Sequence, residues 1–169
     1  MATTSEKPKR PKKRISKDEY YMTLAKTVSA RSTCLRRQYG AIIVSKSDHI
    51  LSTGYNGAAR GELHCLSLGC ERERLKVPKG ERYELCVSVH AEANAIIQAA
   101  RGGASIDGAK LYVNGVPCKM CWRLIKNAGI EEVIYIDDDP ESESYGRTLK
   151  TNPQSVILTN IKDSTRENC

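Results

Sequence analysis

Two helix-opening segments, His90-Ala91-Glu92 and Pro117-Cys118-Lys119-Met120-Cys121, restrict what this chain can fold into more than any bulk property does. Each is ordinary alone: a His-x-Glu triplet is common on solvated helices, and Cys-x-x-Cys also serves redox pairs and zinc knuckles. Their placement carries the information. Both open a helix directly after an extended stretch, and two such helix starts converge beside neighbouring parallel strands. At i and i+3, Cys118 and Cys121 share one helix face, and the free N–H groups of a helix N-terminus favour thiolates. His90 and the two thiolates give a zinc ion three protein ligands and leave the fourth position for water, whose pKa in catalytic zinc sites falls to about 7. Glu92, two residues beyond His90, is placed as a proton shuttle between that water and a reacting group.

The rest of the chain suits an α/β domain. Its 169 residues are 40% hydrophobic, enough for one ordinary core. Phe is absent and aromatics are 5%, so that core is built from Ile, Val, Leu and Ala. The formal charge of +7 would suggest nucleic acid if it were spread over the body. It is not: Lys7, Lys9, Arg10, Lys12, Lys13 and Arg14 stand against Glu6 alone in residues 1–14, a segment with two prolines and no apolar period. That stretch is expected to be a disordered basic tail, serving as a solvated arm, an address signal or a polyanion contact. The domain is expected over 15–162, with a frayed end at 163–169. No apolar run is long enough for a membrane span and no signal-type stretch opens the chain, so a cytoplasmic protein is expected. Seven cysteines then point to metal or catalysis before disulfides.

Ser16 with Glu19 forms a capping box for a first helix reaching about Ala30. Residues 40–44 and 50–54 read as an antiparallel hairpin. Residues 56–86 show no sustained period, and a loop of that length needs a stabiliser. A helix is expected over 90–101, a strand over 110–114, a helix over 118–127 and a strand over 132–136, an alternation that implies parallel pairing through crossovers. A polar loop follows over 138–147, and 155–160 is expected as the last strand.

His-x-Glu followed by Pro-Cys-x-x-Cys is the signature of zinc deaminases. Together with Arg31-Ser32-Thr33-Cys34, Gly40-Ala41-Ile42-Ile43-Val44, Thr53-Gly54-Tyr55-Asn56-Gly57 and Glu92-x-Asn94-Ala95-Ile96, it makes residues 15–137 resemble the cytidine and deoxycytidylate deaminase family. The resemblance implies a three-layer α/β/α fold with a five-stranded mixed sheet, and hydrolytic deamination of dCMP to dUMP, which supplies thymidylate synthesis. Glu92 would take the water proton, deliver it to the ring nitrogen and then protonate the departing amine. The resemblance also implies a substrate contact at Asn56, although Asn56-Gly57 equally suits a simple β-turn. It favours Arg31 with Ser32 for the phosphate; a fork donor there, or at Arg36, suits phosphate, while solvated surface arginines are the plain alternative.

Similar deaminases often hold a second, structural zinc. Cys34, Cys65, Cys70 and Cys86 flank the long loop, with His64 able to replace one of them; ordinary buried thiols are the alternative. Cys169 is left as a terminal thiol. The resemblance further suggests a homo-hexamer regulated by dCTP and dTTP, with Mg2+ accompanying a triphosphate effector. Arg101 is the candidate for that effector or a subunit contact, although it also complements the helix dipole. The chain departs from the family pattern at Asn114-Gly115-Val116 and at Trp122. Trp122 follows a zinc ligand directly, so reshaping of the pocket or packing between subunits is expected of it. Two rival functions remain at this level: a deaminase of a transfer-RNA base, which the near-neutral body disfavours, and a zinc module without catalysis.

Overall fold

The protein, as a computed structural model, is described over residues 13–78 and 81–156. Most of the basic tail, the end of the anticipated last strand and the 163–169 segment lie outside the described residues. Helix α1 (Lys17–Ser29) opens as its sequence requires: Ser16 Oγ accepts from the Glu19 amide at 3.2 Å, and Glu19 Oε2 accepts from the Ser16 amide at 2.8 Å. Strands β1 (Gly40–Val44) and β2 (Ile50–Tyr55) form the expected antiparallel hairpin.

The long loop is less bare than its composition suggests. A two-residue ribbon of β3 (Gly57–Ala58) and β4 (Ser88–Val89) closes its base. Between them lie single-turn helices α2 (Cys65–Leu68) and α3 (Glu71–Arg74) and a 3-10 turn at Tyr83–Leu85. Then follow α4 (Ala91–Arg101), β5 (Lys110–Val113), α5 (Lys119–Asn127), β6 (Glu132–Ile136) and β7 (Thr148–Thr151).

The five-stranded sheet has the order β2-β1-β5-β6-β7 and is mixed. Among the described residues, parallel pairing occurs only between β5 and β6, with Leu111 opposite Val133; β1 runs antiparallel to both β2 and β5. Of the anticipated strand at 155–160, Ser155 and Val156 fall within the described residues and the rest lies outside them. Pro153–Ser155 is a 3-10 turn capped by Asn152, whose side chain accepts from the Gln154 amide at 2.8 Å. Proline at the first position suits such a turn, whose opening amide has no partner to lose. Among the described residues, the last strand of the sheet is β7, antiparallel to β6.

Period-two alternation on the strands divides the core between two faces. Ile42, Val44, Tyr112 and Ile134 face α1 through Tyr21, Met22 and Ala25. Ala41, Ile43, Leu111, Val113 and Val133 face α4 and α5 through Ala91, Ala95, Trp122 and Ile125. The result is the three-layer α/β/α arrangement. Two glycines let the helices approach the sheet. A Cβ on Gly40 would lie 2.1 Å from the Ala25 carbonyl oxygen, and one on Gly54 would lie 2.3 Å from that of Ala91. Glycine at 54 therefore sets how closely the first turn of α4 packs on β2.

Candidate active site

The two helix starts do converge. His90 is the N-cap of α4 and Cys118 the N-cap of α5, and neither side chain caps its own helix. The His90 Nδ1 lies 3.5 Å from Cys118 Sγ and 3.4 Å from Cys121 Sγ. All three ligand atoms fall within 4.8 Å of one another, the one such group among the described residues. Burial works against the imidazolium, yet hydrogen bonding to Cys118 and the charge of Glu92 leave the His90 pKa above its ordinary value. The Cys121 thiol is pushed well above the usual thiol range, first by hydrogen bonding with Cys118 and then by burial. A divalent cation reverses this, because a coordinating thiol is deprotonated outright. One imidazole and two sulfurs form a donor set that suits zinc.

Glu92 is 5% exposed. Burial raises its carboxyl above the usual carboxylate range, opposed by the charge of His90. Desolvation thus shifts the carboxyl in the direction that suits a proton-transferring group. His90, Glu92 and Cys118 line a cavity of about 370 Å3, and Asn56 lines it as well.

The remaining anticipated residues are distributed unequally. Asn56 is buried, and its side chain holds the 37–39 segment: Oδ1 accepts from the Tyr39 amide at 2.8 Å and Nδ2 donates to the Arg37 carbonyl at 2.8 Å. Ser32 is buried and its hydroxyl donates to the Asn56 carbonyl at 2.9 Å. Arg31 is exposed, and neither it nor Ser32 lines the cavity. Cys34, Cys70 and Cys86 line the cavity, whereas Cys65 is buried. Burial raises the Cys65 thiol pKa, followed by the influence of Cys34, Cys86 and Cys70, so the four thiols are electrostatic neighbours. Among the described residues, no three of them come within 4.8 Å of one another. His64 Nδ1 is buried without a hydrogen-bond partner. Arg101 is exposed at the last position of α4. Trp122 is 3% exposed, packs edge-on against Tyr135 with centroids 6.1 Å apart, and does not line the cavity.

Several cavity residues escape a reading of the sequence. Tyr39 donates its hydroxyl to Asp138 Oδ2 at 2.5 Å, and Asp138 Oδ1 accepts from the Val116 amide at 3.2 Å, which ties three loops together on the cavity wall. The position of Asp138 just past β6 was a usable signal, since α/β sites gather at the carboxyl ends of strands. Arg72 and Tyr83 come from the long loop, where no period announces them.

Comparison with known proteins follows this geometry. The family described as the cytidine and deoxycytidylate deaminase zinc-binding region matches residues 15–137. A deoxycytidylate deaminase of Mycobacterium phage D29 is 42% identical over 124 residues, covering 70% of this chain and 92% of the phage protein. A deoxycytidylate deaminase of Schizosaccharomyces pombe is 36% identical over 122 residues, or 72% of this chain and 37% of the yeast protein. The chain spans 37%, 61% and 45% of the lengths of the first three curated relatives it matches. A crystal structure of dCMP deaminase from the cyanophage S-TIM5, in complex with dCMP and dUMP, superposes with a TM-score of 0.56 at 32% identity, covering 70% of this chain and 79% of that one. With the His90, Cys118 and Cys121 cluster at the mouths of two helices on a mixed five-stranded sheet, the chain belongs to the cytidine and deoxycytidylate deaminase family of zinc-binding proteins.

Proposed function

We propose that this protein converts dCMP and water to dUMP and ammonia, with His90, Cys118 and Cys121 as zinc ligands and Glu92 as the catalytic acid and base. The observation that carries this is one cavity lined by a buried Glu92, by His90 and Cys118, and by Asn56. Zinc bound by the three ligands supplies Lewis-acid activation of water. Glu92 takes one proton from the attacking water and delivers it to the pyrimidine ring nitrogen, then carries the remaining proton of the C4 hydroxyl to the amino group, which leaves as ammonia while the C4 carbonyl forms. Its burial raises the carboxyl above the usual carboxylate range, the direction that a group donating as well as accepting requires. Asn56 keeps one amide N–H beyond its bond to Arg37, and that N–H is the candidate contact to the sugar hydroxyl.

The substrate named by the D29, S. pombe and S-TIM5 proteins favours dCMP over other cytosine compounds. Assaying cytidine, deoxycytidine, dCMP and dCTP side by side tests it. The highest kcat/KM is expected on dCMP; activity confined to a nucleoside or to RNA would refute the substrate.

A second zinc at Cys34, Cys65, Cys70 and Cys86, with His64 as an alternative ligand, is supported by the influence of Cys34, Cys86 and Cys70 on the Cys65 thiol and by the orphaned His64 Nδ1. Two zinc ions per chain are expected, and a ratio of one would remove this site. A homo-oligomer, a hexamer by family resemblance, is supported by the exposed Ile97, Met120 and Leu124 on α4 and α5. Triphosphate effectors with Mg2+ would then be sought at Arg101. Light scattering with and without dCTP and dTTP checks both, and a monomer insensitive to either would refute them. No helix of the described residues is long and apolar enough to cross a membrane.

A further inference from the structure

Arg72 and Arg36 stand on the wall of the same cavity as His90 and Glu92, and the deamination step uses neither. Arg72 belongs to α3 and is only 6% exposed. Its guanidinium lies over the ring of Tyr83, 4.6 Å from the centroid, and that ring meets His90 edge-on with centroids 5.2 Å apart. Arg72 Nη2 donates to the Pro78 carbonyl at 3.2 Å, and Arg36 Nη1 donates to the adjacent Val77 carbonyl at 3.3 Å. Two guanidinium groups are thus held at successive carbonyls of one loop segment, each satisfied there by a neutral acceptor.

The charge balance at this point is incomplete. Arg72 Nε is buried and has no hydrogen-bond partner. Among the described residues, no ion pair includes Arg72 or Arg36. Glu84 senses the charge of Arg72, but its carboxylate is engaged by Arg82. Glu73 also lines the cavity without pairing to either arginine. A guanidinium cannot shed its proton to escape burial, and a buried cation is expensive unless an anion joins it. Its planar fork matches phosphate oxygens better than any other side chain does.

We infer that Arg72, assisted by Arg36, is the anion site for the phosphate monoester of the substrate, so that the long loop makes this cavity select a nucleotide over a nucleoside. The inference rests on the deaminase reading of the same cavity. It gives residues 56–86 a role in specificity, with Tyr83 holding the Arg72 guanidinium against the His90 side of the site.

The test is calorimetric titration of the zinc-loaded full chain with dUMP and with deoxyuridine. The native protein is expected to bind dUMP at least tenfold more tightly. Arg72→Gln is expected to weaken dUMP about 10- to 150-fold more than deoxyuridine, the range for a charge-assisted hydrogen bond. Arg36→Gln, at a half-buried position, is expected to weaken dUMP several-fold more than deoxyuridine. If Arg72 only clamps the loop, both ligands weaken by one factor, and that result overturns the proposal. Equal native affinity for the two ligands overturns it too. Should Arg72→Gln fail to fold, Arg36→Gln decides, an unchanged dUMP preference counting against the site. Because binding is read without turnover, a native protein that prefers dUMP but releases no ammonia from dCMP refutes the reaction and leaves the phosphate site standing.

Discussion

Asn56 illustrates how single side chains hold the cavity in shape. It bonds the Tyr39 amide and the Arg37 carbonyl from a buried position, so removing it strands two backbone groups and would also remove the proposed substrate contact. Asn56→Ala is expected to lower stability by about 1–3 kcal/mol and to raise KM for dCMP, measured by urea unfolding and initial rates; unchanged values in both would contradict its double role. Trp122 shows the limit of reasoning from neighbours in sequence. Adjacency to Cys121 suggested the pocket, but successive helical residues point about 100° apart, and the indole is turned into the core against Tyr135. Trp122→Ala is therefore expected to cost about 3–5 kcal/mol of stability, with the substrate preference of the folded fraction unchanged. A shifted preference among cytosine substrates would return Trp122 to the pocket.

Elements transmit that local order to the chemistry. Helix α4 carries His90 and Glu92 at its first turn and is seated on β2 at Gly54, where a Cβ would stand 2.4 Å from the Ala95 amide nitrogen. Gly54→Ala must push the helix outward, with an expected cost of about 1–3 kcal/mol and a loss of activity exceeding the loss of folded protein. Full specific activity would show that the close approach is dispensable. On the opposite face Asp18 joins α1 to two strands, accepting from Tyr112 at 2.8 Å and from Lys150 Nζ at 2.6 Å. Burial pushes its carboxyl up, but the hydrogen bonds from Lys150 and Tyr112 and the charge of Lys150 outweigh it and hold the pKa below its ordinary 3.8. A lowered carboxyl contributes stability above the unfolded pKa and loses it as pH falls through the folded one. Asp18→Asn should therefore cost about 0.5–1 kcal/mol at pH 7 and almost nothing near pH 2, checked by denaturant unfolding at both; a gap independent of pH would contradict the pairing.

Elements also differ in how openly the sequence declares them. The capping box at Ser16 and the buried run of β1 were legible because local chemistry and period determine them. Strand β7 was not: it is a half-exposed edge strand reading Thr-Leu-Lys-Thr, recognisable only once β6 offers a partner. The same holds for Arg72 and Tyr83, whose meeting with His90 is a tertiary event within a segment lacking periodicity. The metal cluster was legible because its ligands sit at helix caps, where sequence reports geometry best.

At the scale of the whole molecule, the three layers bring two helix starts and one long loop to a single cavity. If zinc joins those parts, its binding free energy is also folding free energy. Chelation is expected to lower Tm and to loosen the 56–86 segment as read by hydrogen exchange, both restored by added zinc; indifference to chelation would contradict a structural contribution of the metal. The proposed turnover depends most directly on Glu92. Its measurement is the fall in ultraviolet absorbance as dCMP becomes dUMP, followed for the native protein and for Glu92→Gln with zinc content determined in both. Equal zinc and a turnover reduced about 100- to 10,000-fold in the variant are predicted; equal turnover in the two proteins, or none in the native one, would contradict it.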